Sequence, residues 1–268
     1  MIRKLSFPLL ILFAIACNKL DHSNEKLDQV EQIFVVDKIQ DSNDRILAEY
    51  KYLDNYYLHK RICYAENGNI ISELIFQYED NQISSIEYID LLSPEFSYTI
   101  KFKLDSKGNI MEDFKYEFGV LTEHRKFKYG LNNKIESVAN SEDFEYLKFS
   151  YLETENILKT ELILPEYSDI NQQKNVRNEI GIFEYDENRK PNFGLGKIFQ
   201  INPYPTTNDE SVMELNLSKN NLTKTVHSIS YWKYTYNEYG LPKTIEQKFQ
   251  GYDDLESQVL KLSYKEAK

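Results

Sequence analysis

Side chains that commonly perform catalysis or hold metals are sparse and scattered in this 268-residue sequence. The histidines are His22, His59, His124 and His227. None of them has a second histidine at metal-ligand spacing. The sequence contains neither a Gly-rich phosphate loop nor a Gly-x-Ser-x-Gly elbow. Asp41 and Asn43 match the start of a calcium loop, but Arg45 stands where an oxygen ligand belongs. We therefore expect no catalytic residue, no cofactor and no metal site.

Acidic side chains are abundant, with 43 Asp and Glu against 32 Lys and Arg, and the net charge is −11. A glycosidase needs a pair of carboxylates, but abundance alone selects no pair. A nucleic-acid partner needs a basic face, and the acidic balance argues against one. The charge balance thus argues against a nucleic-acid partner and leaves glycoside hydrolysis by a carboxylate pair as an alternative.

The N-terminus reads as an export signal. Arg3 and Lys4 precede a mostly apolar stretch at residues 5–16, which is shorter than the ~20 residues that a membrane-spanning helix needs. The stretch ends in Ala14-Ile15-Ala16-Cys17, which resembles the lipobox of bacterial lipoproteins. That resemblance implies cleavage before Cys17 and attachment of lipid to its sulfur and amine. A plain secretory signal with a coincidental cysteine is the alternative.

The predicted signal peptide therefore spans residues 1–16, a polar tether spans 17–29, and a β-rich repeat domain spans 30–268. Asn18, where some inner-membrane lipoproteins have Asp, favours the outer membrane by the same resemblance. After cleavage Cys63 keeps the remaining free thiol. We expect it to be a small buried residue, with a reactive or interchain role as the alternative.

The body has the composition and alternation of β-strands. The 21 tyrosines and 15 phenylalanines of the whole sequence favour pleated sheet. Apolar residues at 98, 100, 102 and 104 alternate with polar ones, and Phe114, Tyr116 and Phe118 oppose Asp113, Lys115 and Glu117. Turns at Gly68, Gly108 and Gly119 separate such segments by about one strand each.

We therefore predict an all-β fold, an antiparallel meander of repeated hairpins. The alternation leaves open whether the large twisted sheet stays open, splits into a sandwich or closes into a barrel. Prolines and polar runs predict irregular loops near residues 165–209, with a weak boundary near residue 165. A partial helical pattern at 24–36 is undecided.

Several segments repeat one plan: an aromatic or apolar residue, a polar turn with Gly, then an apolar residue. The clearest copies are Tyr64 to Ile70, Leu104 to Ile110, and Tyr236 to Ile245. They resemble YD-type repeats, and together with the lipobox they resemble uncharacterised lipoproteins of Bacteroidota. This resemblance implies an architecture and an envelope address but no chemistry.

One aromatic row stands out near the C-terminus. Trp232, Tyr234 and Tyr236 alternate along one strand and share a face. Such a row can stack on sugar rings or receive a partner protein, and it is our candidate ligand face. The alternative is that these rings form the core of the sheet.

We therefore expect a lipid-anchored envelope protein, associated with a membrane through its N-terminal lipid, that binds a glycan or an envelope protein without catalysis. The alternatives are a hydrolase of envelope glycans that uses a carboxylate pair, and a structural subunit of an outer-membrane complex. The ligand, the membrane face and the oligomeric state do not follow from the sequence.

Overall fold

The structure is a computed structural model that describes residues 33–54, 56–130, 133–166, 175–195, 217–225, 230–249 and 258–267. The predicted signal peptide, Cys17 and the predicted tether lie outside these residues, as do residues 167–174 and 196–209 of the predicted loop region. Residues 33–268 form one compact unit.

The described residues form sixteen antiparallel strands, each paired with the next along the chain, and the first strand also pairs with the last. The predicted all-β meander is confirmed, and the sheet closes into a barrel. Residue 165 lies inside a strand, and residues 175–189 of the predicted loop region also form a strand because they pair with the strands on both sides. The strands are β1 Phe34–Gln40, β2 Ile46–Tyr52, β3 Leu58–Tyr64, β4 Ile70–Glu79, β5 Gln82–Asp90, β6 Tyr98–Leu104, β7 Ile110–Glu117, β8 Val120–Tyr129, β9 Ile135–Asn140, β10 Glu145–Tyr151, β11 Ile157–Glu166, β12 Asn175–Arg189, β13 Asn220–Thr225, β14 Ser230–Tyr236, β15 Pro242–Phe249 and β16 Gln258–Glu266.

The up-and-down path gives the barrel two distinct ends. At the terminal end the even-numbered strands finish, and the backbone N–H of Ala267 donates to the carbonyl of Ile33 at 2.7 Å. At the tip end the odd-numbered strands finish, and a short 3-10 turn at Pro94–Phe96 lies between β5 and β6. The chain before Ile33 therefore joins the barrel at the terminal end.

A recurring tyrosine contact fastens successive hairpins at the terminal end. In six hairpins a tyrosine on the even-numbered strand donates its hydroxyl to a backbone carbonyl at or near the start of the preceding strand, at 2.6–2.9 Å. The pairs are Tyr52 with Val36, Tyr78 with Leu58, Tyr129 with Ile110, Tyr151 with Ile135, Tyr234 with Leu222, and Tyr264 with Pro242. The repeating unit is thus two strands long, and these rings fill the terminal end while their hydroxyls remain hydrogen-bonded.

The segment after β12 extends across the terminal end. The N–H of Val36 donates to the carbonyl of Asn192 at 2.9 Å, and the N–H of Leu58 donates to the carbonyl of Gly194 at 3.1 Å. Between these contacts Phe193 is buried, with its ring centroid 5.1 Å from that of the inward-facing Tyr50. Residues 190–195 therefore cover apolar interior that the strands alone leave open at this end.

The outward side of the wall is charged around the barrel. Lysines on many strands form ion pairs with acids on neighbouring strands or turns. These pairs include Lys38 with Glu49, Lys60 with Glu73, Lys126 with Asp143, Lys224 with Glu184, and Lys261 with Asp44. A barrel wall that faces lipid presents an apolar band instead, because each Lys or Arg near the middle of the bilayer costs about 2–4 kcal/mol. This wall is suited to water.

Among the residues that the structure describes, no helix has the length and apolar character that a membrane crossing requires.

Candidate functional site

The inward and outward sides of β7 are the reverse of what the hydrophobicity of its side chains suggests. Asp113 pairs across the sheet with Phe102 on one side and Arg125 on the other, and all three face the barrel interior. Asp113 and Arg125 are each only 2% exposed. Since neighbouring side chains on a strand alternate, Phe114 and Tyr116 face outward. Between Asp113 and Tyr116, the strand therefore turns charged side chains inward and aromatic rings outward.

The buried charges on β7 and β8 neutralise each other. The Nε of Arg125 donates to both carboxylate oxygens of Asp113, at 2.9 and 3.0 Å, and a terminal guanidinium nitrogen contacts the same carboxylate. Burial disfavours the guanidinium charge, but hydrogen bonding to Asp113 outweighs it, so the pKa of Arg125 is raised. Such a pair is seldom more stable than apolar side chains of similar volume. The reversed orientation of β7 is therefore not explained by stability alone.

The outward rings of β7 form an aromatic face with ordered polar neighbours. The ring of Phe114 stacks on His124 with centroids 4.4 Å apart, and the Nε2 of His124 lies 2.8 Å from a carboxylate oxygen of Glu112. The Nζ of Lys101 lies over the ring of Tyr116, 5.4 Å from its centroid. We call Phe114 and Tyr116 the β7 aromatic face.

Exposed apolar side chains continue this face at the tip end. They come from two neighbouring turns, one between β5 and β6 and the other between β7 and β8. Phe118 is 77% exposed, Leu92 is 72% exposed and Phe96 is 65% exposed. The full set, which we call the tip patch, is Leu91, Leu92, Phe96, Phe118, Val120 and Leu121. Exposed apolar clusters of this kind mark interaction sites.

Hydrogen bonds hold the first of these turns in shape. Asp90 accepts the N–H groups of Leu92 and Ser93 at 2.9 and 2.8 Å, and the hydroxyl of Ser97 accepts the N–H of Asp90 at 3.0 Å. The N–H of Phe96 donates to the carbonyl of Ser93 at 2.9 Å, which closes the turn. The turn therefore displays Leu92 and Phe96 in an ordered backbone, which reduces the entropy lost on binding.

A groove of about 360 Å³ lies between the two turns, and its lining includes Tyr98, Tyr116 and Phe118. The Nζ of Lys115 lies 4.5 Å from the ring centroid of Tyr98. Glu87 is the acid in the groove lining. The groove therefore offers aromatic surface with isolated charges, which suits binding, and it does not bring together the two carboxylates that glycoside hydrolysis uses.

The predicted ligand row on β14 lies on the inner side of the wall. Trp232 is buried in the hydrophobic core, and Tyr234 packs against that core and donates its hydroxyl to the carbonyl of Leu222. The hydroxyl of Tyr236 contacts the carboxylate of Asp186. The three rings share the inner side of β14, where Trp232 is buried and the ring centroids of Tyr234 and Tyr236 lie 6.2 Å apart.

The other residues considered for chemistry lie apart from one another. Cys63 is half-buried, on the inner side of β3 beside Ser72. Asp41 accepts the N–H groups of Asn43 and Arg45 and pairs with the Arg45 side chain, so it orders a turn. Within the described ranges, no group of three or more His, Cys, Asp or Glu side chains could hold a metal ion.

The β7 aromatic face and the tip patch were not predicted as a site from the sequence. The alternation of β7 was visible, but which side faces inward was not. One signal was available, because a cation that could pair with Asp113, Arg125, lies on the next predicted strand. Apolar residues in the turn at Leu91 and Leu92 were a second signal, since turns usually carry polar residues.

Comparison with known proteins supports the fold. No protein-family model matches the sequence, and no curated protein matches it. A crystal structure of a porin-like protein from Bacteroides uniformis is similar, with a TM-score of 0.52, 11% sequence identity, and coverage of 85% of this chain and 96% of that chain. At this identity the likeness shows the barrel fold alone.

Two further solved structures match with TM-scores too low to support an argument. A porin-like protein from Bacteroides vulgatus has a TM-score of 0.45 and 16% identity, with coverage of 86% of this chain and 99% of that chain. The TcdB2-TccC3-TEV structure has a TM-score of 0.29 and 8% identity, with coverage of 81% of this chain and 12% of that chain.

Proposed function

We propose that the protein is a lipid-anchored barrel of a bacterial envelope that stands in water and binds a partner protein without catalysis. The binding site is the β7 aromatic face together with the tip patch. The observation that carries the proposal is the reversed orientation of β7, which buries an ion pair and turns two half-buried aromatic rings outward. Local exceptions to the usual pattern of burial concentrate at functional sites.

The proposed location in the cell envelope rests on the export signal and on Cys17, where lipid would be attached. The repeats, which resemble those of Bacteroidota lipoproteins, and the similarity to a Bacteroides porin-like protein support the same envelope, with the outer membrane favoured. The charged outward wall argues that the barrel is held by lipid at its N-terminus instead of crossing the bilayer. Palmitate labelling of the wild type, lost in Cys17→Ala, is the expected result, and equal labelling of both would refute the anchor.

The two ends of the barrel differ in their surfaces. The tip patch lies at the end opposite to the start of β1 and the end of β16. Residues 190–195 cover apolar interior at the terminal end, which argues against an open channel through the barrel.

Photo-crosslinking in cells tests the binding site. A photoreactive amino acid at Phe118 is expected to give a discrete adduct with a partner. The same amino acid at Tyr231, an exposed aromatic position on β14, serves as the matched control and is expected to give none. No adduct from position 118, or the same adducts from both positions, would refute the proposed site.

A further inference from the structure

We infer that the partner presents a protein segment with apolar anchors flanked by basic side chains, and that this segment docks on the tip patch and in the adjoining groove. This inference rests on the proposed function and adds the chemistry of the partner. It follows from the shape of the site and from the charges around it.

The shape favours side-chain anchors. The groove lies between two turns and is walled by the rings of Tyr98, Tyr116 and Phe118. Apolar side chains that enter such an aromatic pocket supply most of the binding energy in typical protein interfaces, and exposed apolar residues around the pocket exclude water. Leu92 and Phe96 are exposed on the hydrogen-bonded turn that also supplies Ser97 to the groove lining.

Acidic side chains stand near both turns of the site. Glu95 is exposed on the first turn, and Glu87 lines the groove itself. Glu123, on β8 next to the second turn, is exposed and lies 3.9 Å from the Nε of Arg125. Of the nearby cations, Lys115 is paired with Glu117 at 2.6 Å, and Lys101, which also lines the groove, lies over Tyr116. Basic side chains beside the apolar anchors would therefore meet complementary charge.

The same charges argue against two other occupants. A second copy of the chain, docked tip to tip, would bring Glu87 and Glu95 against their own copies, and like charges across an interface are unfavourable. A membrane surface with anionic lipids would also face these acids. Both remain outcomes that the experiment distinguishes.

A peptide selection tests the inference. A displayed library of random 12-residue peptides is selected on the full chain carrying Cys17→Ala, and in parallel on the same chain with Phe96→Ser and Phe118→Ser. Sequences that are enriched on the first protein and lost on the second are expected to combine Leu, Phe or Trp with Lys or Arg. Enrichment of acidic or uncharged sequences would overturn the inferred chemistry while leaving binding by the patch intact.

Reversing the charges of the peptide and of the protein tests the inferred charge complementarity directly. One enriched peptide is synthesised with its Lys and Arg residues intact, and again with each replaced by Glu. The basic form is expected to bind the wild-type barrel about tenfold more tightly, and Glu87→Lys with Glu95→Lys is expected to reverse that order. Thr235→Lys with Thr244→Lys, on the outward side of β14 and β15, is the matched control and should leave the order unchanged. An unchanged order in the Glu87 and Glu95 variant overturns the inference.

The remaining outcomes separate the inference from the proposed function. Dimers of the full chain that dissociate on Phe118→Ser would assign the patch to a second copy. Flotation with phosphatidylethanolamine and phosphatidylglycerol vesicles that is lost in the same variant would assign it to a membrane. A selection that enriches no sequence relative to the Phe96→Ser and Phe118→Ser variant would overturn both the inferred partner chemistry and patch binding of protein segments.

Discussion

Replacing Asp113 by Asn tests whether the buried charges on β7 and β8 act as a pair. The substitution keeps the size of the side chain but removes its charge, so the buried Arg125 guanidinium loses the carboxylate that its Nε contacts at 2.9 and 3.0 Å. Both side chains are 97% shielded from solvent. Removing one partner of a buried pair typically costs about 3–5 kcal/mol, because an uncompensated charge remains in the interior.

The outward ion pair between Lys126 and Asp143 is a suitable control. Lys126 follows Arg125 on β8 and so faces the opposite side of the same strand, and Asp143 is mostly exposed. An exposed pair contributes about 0–1 kcal/mol, so Asp143→Asn should cost no more than that. The contrast between the two substitutions isolates the effect of burial from the loss of a carboxylate charge.

Urea unfolding followed by far-ultraviolet circular dichroism gives the free energies of unfolding. Since a domain is stable by about 5–15 kcal/mol, Asp113→Asn is expected to lower the unfolding midpoint greatly with little change in slope. The double variant Asp113→Leu with Arg125→Met is expected to recover most of the loss. A cost for Asp113→Asn under about 1 kcal/mol, equal to that of Asp143→Asn, would refute the buried pair and with it the inward orientation of Asp113.

Three further predictions concern the terminal end. Gly194→Ala is expected to lower the free energy of unfolding in urea by more than about 2 kcal/mol, because Gly194 has a φ of +67° and a Cβ there would overlap the carbonyl oxygen of Tyr56. The control Gly68→Ala, at φ +81° in open space, should cost only about 1 kcal/mol. Equal costs would contradict the placement of residues 190–195. Tyr129→Phe removes a buried hydroxyl that donates to the carbonyl of Ile110, so thermal unfolding should show a loss of about 1 kcal/mol, and no loss would contradict the contact. Burial, with Lys134 nearby, lowers the pKa of Lys190 to about 7. Between pH 7 and about 10.5 the Lys190 amine is protonated in the unfolded chain but neutral in the folded one. Lys190 therefore lowers the free energy of unfolding by its full amount below pH 7 and by progressively less as the pH rises. Lys190→Met should therefore stabilise the protein by roughly 2 kcal/mol at pH 6, allowing for partial solvent access, and by less at pH 9.5, and a gain independent of pH would contradict the shift.

The strands and turns were largely predictable from the sequence. The alternation from Tyr98 to Leu104 gave both the strand and its inward side, because each inward residue is apolar and each outward one is polar. Gly68 and Gly108 marked turns because both adopt positive φ, which glycine tolerates. These features depend on residues close together in the chain, so local patterns suffice.

The features that depend on distant residues were not predictable. Closure of the barrel requires β1 to pair with β16 at the other end of the chain, and no local pattern encodes that contact. The inward side of β7 depends on a charge pair between two strands, Asp113 with Arg125, that offsets the usual preference for burying Phe114. The row at Trp232 showed the converse, because alternation groups its rings on one side but does not say which side is core.

Cysteine accessibility tests the central claim most directly. In a chain that carries Cys63→Ala, Tyr116→Cys and the control Thr235→Cys both place a thiol on the outward wall. The account predicts that a maleimide reagent labels both thiols rapidly in the purified barrel, and that in intact envelopes Tyr116→Cys is protected while Thr235→Cys is not. Slow labelling of Tyr116→Cys in the purified barrel, or equal labelling of both positions in envelopes, would contradict it.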